Sequence, residues 1–134
     1  MCLYTNMIKP AIATEKIECY KVLISMIDTL YLSPYMNKLY EINNEYKAEG
    51  EKQVKKLNRD EEFFDADIKI GGGYIHAFCF LDDNAHELCD NTKECFNTIS
   101  VLTKWTIPVG AEYWIDADNV EICADRMIFD EVIE

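Results

Sequence analysis

The sequence is short of basic side chains, of histidine and of any long apolar run. Lysine and arginine number 13 against 25 Asp and Glu, a formal net charge of −12. A surface with that balance repels phosphates and anionic headgroups, so neither direct nucleic-acid binding nor a membrane surface is expected. Apolar stretches such as Val22-Leu23-Ile24 are a handful of residues long, where a membrane-spanning helix needs about 20. Met1 to Asn6 lack the basic start and apolar centre of a secretory signal. Cys2 stands where myristoylation requires a glycine. The expectation is a cytoplasmic protein.

What is present is a globular composition, 49% apolar and 28% charged, in a length suited to a single domain over 1–134. Cysteines stand at 2, 19, 79, 89, 95 and 123. Without a secretory signal they read as reduced thiols, most of them small apolar packers.

Residues 1–16, broken by Pro10, read as a leader. From Glu18 to Met26 both alternating faces carry apolar side chains, which suits a strand covered on both sides. Further short strands are expected at 29–32, 38–42, 68–70, 74–81, 100–107 and 126–129, with a hairpin over 112–123. One helix is expected at about 85–98, where Ala85, Leu88, Cys89, Phe96 and Ile99 recur at helical spacing behind the Asp82-Asp83-Asn84 cap. Residues 45–62 carry six acids and five bases; they read as a charged insertion or linker, with a second helix a candidate at about 45–58. The fold class that follows is α+β, strand-rich, with an antiparallel or mixed sheet of about 6–8 short strands.

The chemistry-bearing patterns are sparse. Gly71-Gly72-Gly73 precede a strand and lack a Lys-Ser or Lys-Thr companion, so they read as a turn and not as a phosphate cradle. His76-x-x-Cys79 and His86-x-x-Cys89, with Cys95, hold zinc-ligand types. Strand residues three apart face opposite sides, so His76 and Cys79 cannot easily share an ion, and no metal is expected. Cys79 with His86 is a conceivable nucleophile and base. Asp116-x-Asp118 lacks the glycine and distal glutamate of a calcium loop. The eight Tyr, with six Phe and two Trp, suit a half-wet cleft or interface and ordinary sheet packing alike.

An ordered set of motifs carries a resemblance. Tyr20-Lys21-Val22-Leu23, Ser33-Pro34-Tyr35, Leu39-Tyr40-Glu41-Ile42, Tyr74-Ile75-His76-Ala77-Phe78, Ile107-Pro108-x-Gly110-x-x-Tyr113 and Glu121-Ile122-Cys123-Ala124-Asp125 follow one another along the chain. This pattern resembles a poorly characterised group of small phage and gut-bacterial proteins, some fused to pentapeptide-repeat modules. A fainter similarity is to ADP-ribosyltransferase-like folds, in which a first strand begins Tyr-x-Val and an Ile-Pro-x-Gly segment precedes a hairpin ending in glutamate. That similarity implies NAD as cofactor, Glu121 as the catalytic acid, and Tyr20, His76 and Tyr113 lining the cofactor site. The chain departs from that pattern in placing Asn119 two residues before Glu121 and no Arg or His on the first strand.

The leading functional expectation is a non-enzymatic acidic binding protein with no cofactor. It would be a phage-type accessory or anti-defence factor in the host cytoplasm, engaging a host protein with a basic face or a small nucleotide. The alternatives are an NAD-binding enzyme of ADP-ribosyltransferase type, or its degenerate relative, and a structural virion or assembly protein. Oligomeric state stays open.

Overall fold

A computed structural model describes residues 3–27, 30–33, 38–57, 66–81, 83–96 and 99–133. These hold β1 (Leu3–Thr5), β2 (Ala11–Ile12), β3 (Ile17–Ser25), β4 (Leu30–Leu32), β5 (Leu39–Glu41), β6 (Glu45–Lys47), β7 (Val54–Lys56), β8 (Ile68–Ile70) and β9 (Ile75–Phe78). The helix α1 (Asp83–Phe96) follows, then β10 (Ser100–Ile107), β11 (Glu112–Ile115), β12 (Glu121–Ala124) and β13 (Arg126–Val132). A small sheet runs β1-β8-β7. A ten-stranded sheet runs β2-β11-β12-β9-β3-β10-β13-β6, with β4 joined to β3 and β5 to β4. Every strand pairing is antiparallel. No helix among the described residues is long and apolar enough to cross a membrane.

The expected α+β class with 6–8 strands and a second helix is overturned. Thirteen strands and a single helix occupy the described residues. The segment expected as a second helix at 45–58 holds β6 and β7, separated by Gly50 at φ +83°. That left-handed turn is open to glycine and stops a helix. Its charge misled because β7 lies at a sheet edge with all three side chains exposed, so no apolar alternation is demanded of it. The expected leader supplies β1, whose Leu3 is fully buried, and β2, which pairs with β11. Two or three residues are too short to show a period. The turn expected at Asp28 and Ser33-Pro34 falls partly on residues 28, 29 and 34, outside those described.

The long elements follow the sequence. β3 and β10 pair without a break from Ile17↔Ile107 to Ile24↔Ser100. α1 buries Ala85, Cys89 and Thr92 and half-buries Leu88, the i, i+3, i+4, i+7 stripe of an amphipathic helix. It lies on Val22, Phe78 and Leu102, and Ser100 Oγ donates to the Cys89 carbonyl at 2.7 Å.

Side chains of one strand alternate between faces, and directly paired residues share a face. The large sheet therefore has two distinct sides. One carries α1 and, over β11 and β12, the small sheet, sealed by Leu3, Ile68, Ile70, Tyr74, Trp114 and Cys123. The other holds the main core of Cys19, Leu23, Ala77, Trp105, Ile122, Phe129 and their neighbours. Trp105 and Phe129 stack at 4.8 Å, while Tyr40 and Tyr31 meet them edge-on at 4.9 and 5.4 Å. Such ring pairs add about 0.5–1.5 kcal/mol each beyond area burial. They hold the β4–β5 hairpin over the core.

The triple glycine is a turn between β8 and β9, as its sequence context implied. Gly71 N donates to Gln53 O and Gln53 N to Gly72 O, both at 2.9 Å. Gly73 sits at φ +82°, and a Cβ there would lie 2.4 Å from Lys52 Cα. Lys52 itself pairs with Glu112 at 2.8 Å and Asp125 at 3.6 Å, and Tyr74 donates to Glu112 at 2.6 Å. This cluster latches the segment before β7 onto the β11–β12 corner.

Candidate functional site

The pairing of β3 creates an irregularity at the centre of the large sheet. One edge of β3 is filled by β10 along its length. The opposite edge meets β9 at Tyr20↔Phe78 and then β4 at Ile24↔Leu32 and Ser25↔Tyr31. Lys21, Val22 and Leu23 lie between, and among the described residues no strand residue pairs with them on that side. The sheet forks there.

Around the fork, register brings predicted site residues together. Tyr20 pairs with Phe78 and Phe78 with Glu121, so the three form one row across β3, β9 and β12 on the helix-bearing face. His76, two residues from Phe78 and paired with Cys123, shares that face. Strands two apart place Tyr20 and Glu121 roughly 10 Å from one another. Phe78, buried under α1, stands between them. Tyr113 is separated from this group: it pairs with Ala124, faces the opposite side and packs on the main core. Asn119 occupies the hairpin turn at φ 57°, where Asp116 Oδ1 accepts from Val120 N at 2.7 Å. The Asp116–Asp118 pattern is thus a turn whose first carboxylate caps its own backbone.

Burial, reinforced by Asp116, pushes the half-buried Glu121 carboxyl above the usual range. His76 is perturbed in the opposite direction. Burial lowers its pKa to about 4, with Lys21 adding to the effect and the Gly71 carbonyl opposing it. Nε2 lies 2.9 Å from Gly71 O, while Nδ1 is buried without a partner. A carbonyl only accepts, so Nε2 carries the proton of a neutral ring. A second proton would be stranded on Nδ1.

The metal-ligand pattern is dispersed. His76 faces the helix side and Cys79 packs toward the main core. His86 is exposed and Cys89 buried against Ser100, while the side chain of Cys95 lies outside the description. Among the described residues no three His, Cys, Asp or Glu side chains are grouped to hold an ion. Cys79 and His86 likewise lie on different surfaces, one against the core beside Cys19 and one on the outer side of α1.

No protein-family profile, curated protein or solved structure matches this chain. The site therefore rests on its own geometry.

Two features were not singled out in the sequence. Lys21 points into the main-core side, its Nζ donating to the His76 carbonyl and lying 6.0 Å from the Trp105 ring centroid. Burial lowers its pKa to about 8. The signal was available: a lysine between Cys19 and Leu23, on the inward phase of a strand expected to be covered on both sides. The second is an exposed apolar end. Tyr31 and Tyr40 face the core, so Leu30 and Leu39 face out. Beside them Ile27 and Ile99 are 73% and 70% exposed. Ser25 N donates to Ile99 O and Met26 N to Leu30 O, which gathers these side chains at one end.

Proposed function

We propose that this chain is a binding protein whose partner is another protein, one presenting an apolar centre within a basic rim. The observation that carries this reading is the outward apolar surface of Ile27, Leu30, Leu39 and Ile99, with Met26, on a chain of net charge −12. Contiguous exposed apolar surface marks interaction sites. The excess of acids selects a basic partner and accelerates encounter. Among the described residues β5 pairs with β4 alone, and the Tyr46 hydroxyl caps the backbone of Glu41 on its outer side. The reading is in keeping with the expected resemblance of the ordered motifs to small phage and gut-bacterial proteins, which implies an accessory role of this kind in a host cell.

The test compares the native chain with Ile27→Glu/Leu39→Glu in capture from host lysate, with far-ultraviolet circular dichroism as folding control. A partner lost by the folded double variant, and released as salt rises, meets the expectation. Capture unaffected by both substitutions and salt refutes it. So does a concentration-dependent dimer in light scattering that the double variant abolishes, because the apolar end is then a self-association surface.

A second reading is favoured by one observation, the alignment of Tyr20, His76 and Glu121 on one face, and takes NAD or a related nucleotide as ligand. A thermal shift with NAD that Glu121→Gln reduces supports it; no shift and no transfer of label from NAD end it.

A further inference from the structure

Two thiols meet where β3 joins β9. These strands pair at Tyr20↔Phe78, and one step along that antiparallel register sets Cys19 opposite Cys79. Cys79 N donates to Val120 O at 2.8 Å, so its N–H turns toward β12 and away from β3. The Cys19–Cys79 position is therefore of the non-hydrogen-bonded kind, in which facing Cα atoms stand about 4.5 Å apart with both side chains on one face. A disulfide needs Cα atoms roughly 4.4–6.8 Å apart and side chains that converge. Both residues belong to the main core, where Cys19 is fully buried and Cys79 packs half-buried at the rim. Cys79 is also among the groups whose charge acts on the Cys19 thiol. Among the described residues no other cysteine pair is so placed: Cys89 lies under α1 and Cys123 under the small sheet.

We infer that Cys19 and Cys79 form a reversible disulfide under oxidation, locking β3 to β9 across the fork. With hydrogen peroxide as oxidant, the Cys79 thiolate attacks one peroxide oxygen and the O–O bond breaks. The leaving hydroxide takes up the proton that Cys79 gave up, forming water, and Cys79 becomes a sulfenic acid. The Cys19 sulfur then attacks the Cys79 sulfur and the S–O bond breaks. The Cys19 proton leaves with the displaced hydroxide as a second water. Two thiols and one peroxide thus give one disulfide and two waters, two electrons passing from sulfur to oxygen. The half-buried residue meets the oxidant, and the fully buried one resolves it. Burial raises the pKa of the Cys19 thiol, but Lys21, two residues on along the same face, opposes that rise and favours loss of its proton in the second step. The bond closes a loop of about 60 residues, which carries the β4–β5 hairpin. Thiol reductants reverse it by exchange. This inference is independent of the protein-partner reading, which uses the exposed apolar end.

The experiment treats the intact folded chain with hydrogen peroxide at neutral pH, caps the remaining thiols with N-ethylmaleimide, and maps linked peptides by mass spectrometry without reduction. The expected product joins the Cys19 peptide to the Cys79 peptide and returns to two thiols in dithiothreitol. Its thermal midpoint rises by roughly 5–10 °C, because the crosslink restricts the unfolded chain. Cys79→Ser abolishes both the link and the shift while keeping the circular dichroism of the fold. Three results each overturn the proposal: the pair stays reduced in the folded chain, Cys79 is oxidised while Cys19 remains a thiol, or the linked chain melts where the reduced one does.

Discussion

Replacing His76 with glutamine isolates one buried titration and converts it into a stability difference. The ring is neutral in the fold, with a pKa near 4 set first by burial, while the unfolded chain offers the ordinary value of 6.5. As pH falls through 6.5 the unfolded chain takes up a proton that the folded chain refuses until about pH 4. Stability contributed by this group is therefore intact above 6.5, is lost as pH falls through the interval, and changes no further below it. The shift corresponds to about 3 kcal/mol in full, of which about 2 kcal/mol is lost between pH 7 and pH 5. Glutamine can donate from its amide toward Gly71 O as Nε2 does, and it has no proton to gain in this range. Urea unfolding of both proteins at half-unit steps from pH 7 to 5 gives the two curves. Their difference cancels the carboxylates common to both, including Glu121, whose raised pKa acts in the opposite direction. The native chain should lose about 2 kcal/mol more than the variant across that span. Parallel curves would refute the neutral, proton-excluding ring.

Two structural predictions accompany it. Gly73→Ala forces a Cβ against Lys52 Cα at a left-handed φ, so urea unfolding should show a loss of about 2 kcal/mol or more, together with release of the Lys52 latch. Phe129→Ala removes the ring stacked on Trp105 and met by Tyr31; it should cost about 3–5 kcal/mol and shift Trp fluorescence.

Long elements were legible because their periods had room to repeat. β10 lies where the sequence placed it, and α1 begins two residues before the expected helix. The rim was not legible. β1, β2, β6 and β7 are two or three residues long, and the partners of β1, β2 and β6 come from distant parts of the chain, as Leu3↔Ile70 shows. Nothing local encodes such a pairing. In the candidate site, Tyr20, His76 and Glu121 share a face because three strands far apart in sequence fall into one register. Tyr113 fails because a single-residue change of phase sends a strand side chain to the other side. Lys21 was overlooked because a basic residue reads as solvent-facing, although its phase in a strand expected to be covered on both sides already pointed it inward.

The ladder between β3 and β10 sets the order of events when the chain is made. It joins Ile17 to Ile107 and Ile24 to Ser100, so the first long strand must wait for most of the polypeptide to be synthesised before its main partner exists. Closing so large a loop makes folding slow relative to helical proteins of this size. During that wait the Cys19–Ile24 stretch is uncovered. A nascent chain arrested before Ser100 should therefore be a client for chaperones, and only release of about the last quarter of the sequence brings protection.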